Sequence, residues 1–232
     1  GIILIPKARF KKEIEEAINK TMINHKEVFY YDREPTKLTK QIEELTKYEI
    51  RKNNLKDEIK KLENLSFKDK EKKIENLKKR DTLGKINFDS VVIADFDENL
   101  KSVATSLLYT DVSSKRISYI TLNQWFDESL LKDDSLHPIY FPSINKDNYK
   151  LFMNDFKNAY GLDGDQLSFL SYDLIGLVYF LIYENDFKIS KKIFYKKNKF
   201  KGKIGVFEIS KNTITHQLNF YSIEDKKFKK IF

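Results

Sequence analysis

Cysteine is absent from this 232-residue chain, which excludes structural disulfides, thiol chemistry and cysteine-ligated metals. It leaves the compartment open, because many periplasmic proteins also lack disulfides. Histidine is nearly as scarce. His25, His137 and His216 stand alone, with no His-Glu-x-x-His and no second histidine at helical spacing, so no metal site is expected. Only seven glycines are present, and no phosphate loop, dinucleotide fingerprint or nucleophile elbow can be assembled from them. The pair Gly161 and Gly164 falls between two helical patterns and reads as a turn or helix cap. The longest apolar run, Leu174 to Ile182, has nine residues against the roughly 20 of a bilayer-spanning helix, so none is expected. Residues 1–5 have no basic stretch before them and meet Pro6 at once, which fits a buried strand better than a signal peptide. Any targeting segment is expected outside these residues.

What is present suffices for a folded domain: 41% hydrophobic and 14% aromatic residues can bury a core. Forty-three basic residues against 35 acidic give +8, a balance that favours acidic partners. The excess is local, since residues 36–85 hold 16 basic and 10 acidic residues. Only five of the basic residues are arginine, namely Arg9, Arg33, Arg51, Arg80 and Arg116. Bidentate phosphate and base recognition favours arginine, so nucleic acid is not the expected partner. Were it one, affinity would fall steeply with salt.

Along the chain, Ile2 to Ile5 reads as a strand, and Phe10, Ile14, Ala17, Ile18 and Met22 follow at helical spacing. Val28 to Tyr31, Phe88 to Ala94 (read as buried on both faces) and Ile117 to Leu122 read as further strands, and Ile139 to Phe141 before Pro142 as a fifth. Leu100 to Leu108 is helical. This alternation predicts an α/β fold, with a mostly parallel sheet and helices on both faces. Residues 36–85 interrupt it. Leu38, Leu45, Lys52 and Ile59 share one heptad position and Gln41, Tyr48, Leu55 and Leu62 another. A long helix turning at Asn64 to Phe67, with Ser66 as N-cap, and a return through Ile74 and Leu77 predict a charged helical hairpin projecting from the sheet, either a solvated decoration or a docking arm. Two helices follow, Tyr149 to Tyr160 and Leu167 to Tyr183, the second with a stripe of Leu167, Leu170, Leu174, Leu177 and Leu181 that predicts packing. Ile204 to Ile209 and Thr213 to Tyr221, flanking Ser210-Lys211-Asn212, read as an antiparallel hairpin. The expected segments are an α/β lobe over residues 1–146, crossover helices over 147–190 and a β-hairpin segment over 191–232.

No nucleophile, histidine or metal motif accompanies the carboxylate pair Asp95 and Asp97, so catalysis is not expected. Ligand recognition in an open α/β sheet lies in the loops just after the strands. Those loops supply Arg9 and Phe10, Asp95, Phe96 and Asp97, and Asn123 and Trp125. They offer aromatic walls, an amide and both charges, although Phe96 and Trp125 read equally as packing aromatics.

In this order the pieces resemble the second lobe of type I periplasmic binding proteins, the leucine/isoleucine/valine-receptor fold, and within it the penicillin-binding-protein activators. Carrying the resemblance are Ile2-Ile3-Leu4-Ile5-Pro6 with Phe10, Phe88 to Asp95 followed by Glu98-Asn99-Leu100, and Leu107-Leu108-Tyr109 with Asp111-Val112. Thr121-Leu122-Asn123-Gln124-Trp125, Phe156 with Ala159-Tyr160-Gly161, Ser171-Tyr172-Asp173 and Gly202 to Ile223 complete it. The pieces cover nearly the whole chain; each is short, and their order is the specific part. Members of the family are longer and open with a first lobe on which the helices from Asp147 to Tyr183 would pack; here most of that lobe is absent. The resemblance implies a non-catalytic, cofactor-free periplasmic protein that regulates peptidoglycan synthesis by contacting a penicillin-binding protein. An outer-membrane lipid anchor would then lie outside this chain, and the hairpin would be a candidate contact surface. The alternative is a transporter's receptor for an amino acid or similar small polar solute, with Arg9, Asn123 and Asp95 or Asp97 holding the ligand's charges.

Overall fold

A computed structural model describes residues 1–21, 25, 27–66, 68–195, 197–203, 205–210 and 213–232. Met22, Phe67, Ile204, Lys211 and Asn212, to which the sequence reading assigned places, lie outside the described residues. In chain order the first elements are β1 (Ile2–Pro6), α1 (Lys11–Thr21), β2 (Glu27–Tyr31), α2 (Pro35–Thr46), α3 (Tyr48–Glu63) and α4 (Lys70–Lys78). Next come β3 (Ser90–Ile93), α5 (Asp97–Tyr109), β4 (Ser118–Thr121), β5 (Ile139–Ser143), α6 (Lys146–Tyr160), α7 (Gln166–Tyr183) and α8 (Lys191–Tyr195). The chain ends in β6 (Asn198–Lys201), β7 (Val206–Ser210), β8 (Thr213–His216), β9 (Asn219–Glu224) and β10 (Lys227–Lys230). Two compact units result, one of Gly1–Leu122, Glu128–Phe141 and Ser222–Phe228, the other of Asn123–Asp127, Pro142–Tyr221 and Lys229–Phe232.

The predicted α/β architecture is present. A seven-stranded sheet runs β10-β9-β5-β4-β3-β1-β2, with β1 parallel to both β2 and β3, and β3, β4 and β5 parallel in succession. β1 is buried along its whole length, as a central parallel strand covered on both faces must be. Its alternate residues Ile3 and Ile5 pack with Ile14 and Ile18 of α1. α2 packs on α5, and Leu38 and Ile42 of the one and Leu100, Val103 and Leu107 of the other are buried. The chain runs from β1 out to β2 and then back across β1 to β3. The carboxyl ends of β1 and β3 therefore flank the topological switch point, where a crevice opens in such sheets.

Several boundaries differ from the sequence reading. β3 starts at Ser90, and its burial alternates instead of being complete on both faces. β5 runs through Pro142 to Ser143, beyond its paired residues Ile139 and Tyr140, where a missing N–H breaks no ladder bond with β4. The long helix is broken at Lys47, which adopts φ 52° and caps α2. α2 is thus a packed crossover helix, and the hairpin is α3 with α4, joined by Leu55, Leu62 and Leu77 with Ile59 and Ile74. Asp69, and not Ser66, is the residue before α4.

The second unit is built on α6 and α7. Gly161 closes α6 at φ 68°, the cap expected of it. The buried line of α7 is Phe169, Asp173, Leu177 and Leu181, so the leucine stripe is only partly core: Leu167 and Leu174 are exposed. With Asp173 its only charged residue, α7 is by length and composition apolar enough to cross a membrane, which a count of uninterrupted apolar residues did not anticipate. Its inner face holds a core instead, with Leu177, Leu181, Ile193, Phe207 and Ile209 clustered together. The backbone N–H of Lys203 donates to Asp173 Oδ1 at 2.8 Å. β6, β7 and β8 form an antiparallel sheet; β6 was not expected, and Thr213 to Tyr221 divides between β8 and β9. β9 and β10 turn at Asp225-Lys226, both at positive φ (51° and 58°), the geometry of a two-residue hairpin turn.

Candidate functional site

At the switch point the central residue is Asp95, at the end of β3 and 0% exposed. The backbone holds it there, because Ala94 N–H donates to Leu4 O and Thr121 Oγ1 donates to Ile93 O at 2.8 Å. Arg33, in the loop after β2, grips the carboxylate as a fork, with Nη2 on Oδ1 at 2.7 Å and Nε on Oδ2 at 3.1 Å. Tyr31 Oη donates to Oδ2 at 2.7 Å, and the N–H of Phe96 donates to Oδ1 at 2.9 Å. Four donors fill the acceptor sites of a carboxylate. Burial pushes the Tyr31 hydroxyl far above its ordinary pKa, the Asp95 charge adds to this and Arg33 offsets part of it. Tyr31 therefore serves as a fixed donor.

An aromatic clasp covers the pair. The Arg33 guanidinium lies 5.0 Å from the Phe10 ring centroid, and Phe10 meets Phe96 edge-on at 6.0 Å. Of the residues singled out in the sequence, the structure thus brings Phe10, Asp95 and Phe96 together. Arg9 and Asp97 are exposed at the same strand ends, Asp97 as the first residue of α5 at φ 51°.

Asn123 and Trp125 belong to the second unit. Asn123 Oδ1 accepts from Ser143 Oγ at 2.8 Å and from the Trp125 N–H at 3.0 Å. Trp125 and Phe126 are both in the left-handed region, at φ 50° and 60°, a strained conformation for aromatic residues. Phe126 is held there by Tyr221, edge-on at 4.9 Å, and by Tyr149 at 5.9 Å.

Sequence reasoning missed Tyr31 and Arg33. A signal existed: Arg33 is one of five arginines and follows β2, the strand beside β1, yet only the loops after β1, β3 and β4 were considered. A further concavity, of about 400 Å³, lies in the second unit against α6 and α7, lined by Phe152, Phe156, Tyr160, Tyr172, Asp155 and Lys203 among others.

No protein-family model matches the chain, and no curated protein does. Solved structures do. The LpoA C-domain from Haemophilus influenzae, a regulator of PBP1A, is 12% identical with a TM-score of 0.53, covering 100% of this chain and 61% of that one. Full-length LpoA from the same organism is 11% identical with a TM-score of 0.53, over 99% of this chain and 35% of that one. An extracellular ligand-binding receptor from Verminephrobacter eiseniae is 10% identical with a TM-score of 0.55, over 98% of this chain and 60% of that one. At such identities the likeness is one of fold, and it shows the fold of type I periplasmic binding proteins. The chain spans between about a third and three fifths of the length of these structures, which are binding or regulatory proteins.

Proposed function

From this fold we propose that the chain is a non-catalytic binding protein of the periplasm that regulates peptidoglycan synthesis by contact with a penicillin-binding protein. The observation that carries the reading is the state of Asp95. A receptor for amino acids needs an anion for the ligand's ammonium, and the buried carboxylate at the switch point already has Arg33, Tyr31 and the Phe96 N–H on its oxygens. The likeness to LpoA supports the same direction. Capture of a detergent-solubilised bifunctional penicillin-binding protein on the immobilised chain tests it: retention over a control column is expected, and equal passage through both refutes it.

A second reading, a transporter's receptor for a small polar solute, is favoured by the likeness to the Verminephrobacter receptor and by exposed Arg9 at the same sheet edge. Thermal unfolding against amino acids and peptidoglycan fragments separates the two. A true ligand at a hundredfold its dissociation constant adds about 2.7 kcal/mol, and such a shift would replace the regulator by the receptor.

A further inference from the structure

We propose that the hairpin of α3 and α4 is an electrostatic docking arm for an anionic phospholipid surface. Lys60 to Arg80 carries nine basic residues against four acidic, most of the chain's net charge of +8 in one short stretch. The arm is anchored at its base. Arg51, 3% exposed, donates to Thr110 O at 3.1 Å and to Thr82 Oγ1 at 2.6 Å. From Arg51 to Glu63, α3 rises about 18 Å at 1.5 Å per residue. Leu55, Leu62 and Leu77 zip the two helices together, with Ile59 and Ile74 packed against them, and Lys60, Lys61, Lys68, Lys72, Lys78 and Lys79 are exposed.

The kind of charge selects the partner. Eight of the nine basic residues are lysine, a hydrated point charge suited to the diffuse field of an anionic leaflet, whereas nucleic-acid readout draws on arginine forks. In the turn between the helices Leu65 is 47% exposed, in sequence between Lys61 and Lys68. An exposed apolar side chain in a lysine-rich turn fits the boundary between headgroups and acyl chains. This inference goes beyond the proposed function and does not rest on it, because no penicillin-binding protein is needed to test it.

The test is co-sedimentation of the whole chain with vesicles of phosphatidylcholine alone and with about 30% phosphatidylglycerol added. Binding to the anionic vesicles only, lost between about 0.05 and 0.5 M salt, is the expected result. Replacing Lys68, Lys72 and Lys79 by Gln lowers the affinity about a hundredfold, at roughly fivefold for each lysine, and Leu65→Asp lowers it further. The same number of changes elsewhere, Lys115→Gln, Lys132→Gln and Lys227→Gln, leaves it within about threefold. A thermal melt of each variant confirms that it is folded, and the comparison of the two vesicles stands on the unaltered chain alone. No sedimentation, equal sedimentation with both vesicles, equal loss in the two triple variants, or binding to a DNA duplex without binding to vesicles would each overturn the proposal.

Discussion

Replacing Arg33 by Met removes both arms of the fork on Asp95 and leaves the carboxylate with Tyr31 Oη and the Phe96 N–H. Breaking one side of a fully buried ion pair costs about 3–5 kcal/mol. The Arg33 side chain is 35% exposed, so water screens the pair and the expected loss is about 2 kcal/mol. Asp95→Ala costs more, about 3 kcal/mol, because the buried Tyr31 hydroxyl loses its acceptor as well. With Asp95 gone, Arg33 has little left to contribute, so the double variant should match Asp95→Ala alone and the coupling should be about 2 kcal/mol. Urea unfolding followed by circular dichroism measures all four proteins, with the slope m required to stay constant. Additive single losses, with a coupling under about 0.5 kcal/mol, would show that the two side chains do not act as a pair and would remove the argument that Asp95 is unavailable to a ligand.

Arg51→Met removes a buried guanidinium from Thr110 O, Thr82 Oγ1 and its 3.5 Å pairing with Asp111; a loss of about 3 kcal/mol is expected, with faster hydrogen exchange over residues 48–63. Gly202→Ala drives a Cβ into the Asp173 carboxylate, so a lowered melting temperature is expected, and Asp173→Ser in the same chain should restore part of it. Leu177→Ala opens a cavity among Leu181, Ile193, Phe207 and Ile209 and should cost about 2–5 kcal/mol by urea unfolding. Hydrogen bonds from Lys7 and Gln41, from the Lys37 and Thr36 N–H groups, and from Ser168 hold Asp32, Glu34 and Asp165 respectively below their ordinary values. A carboxylate depressed by folding stabilises above its unfolded pKa, so this part of the stability is full at neutral pH and declines as pH falls below about 4. Urea midpoints at neutral and acid pH check it, and Asp165→Asn should flatten the acid limb.

The α/β order was legible in the sequence because each element is specified by its own residues. Ile2 to Ile5 is apolar throughout and meets a proline, Ile14 and Ile18 recur at helical spacing, and Gly161 can take the left-handed cap. From that order alone follow a largely parallel sheet and the placing of Phe10, Asp95 and Phe96 at the carboxyl ends of strands. Only the tertiary structure decided what those residues do. Arg33 and Asp95 stand 62 positions apart, and a pairing across that distance depends on β2 and β3 flanking β1, which periodicity does not encode. The break at Lys47 is of the same kind. The heptad pattern continues through it, but burial of Leu38 and Ile42 and anchoring of Arg51 set α2 and α3 on different supports. In α7 the leucine spacing marks a stripe on the helix, while which part of it is buried was fixed by Ile193, Phe207 and Ile209 arriving from later in the chain. Local pattern fixes the form of an element through its own backbone and side chains; the use of its surface is fixed by neighbours that only folding brings near.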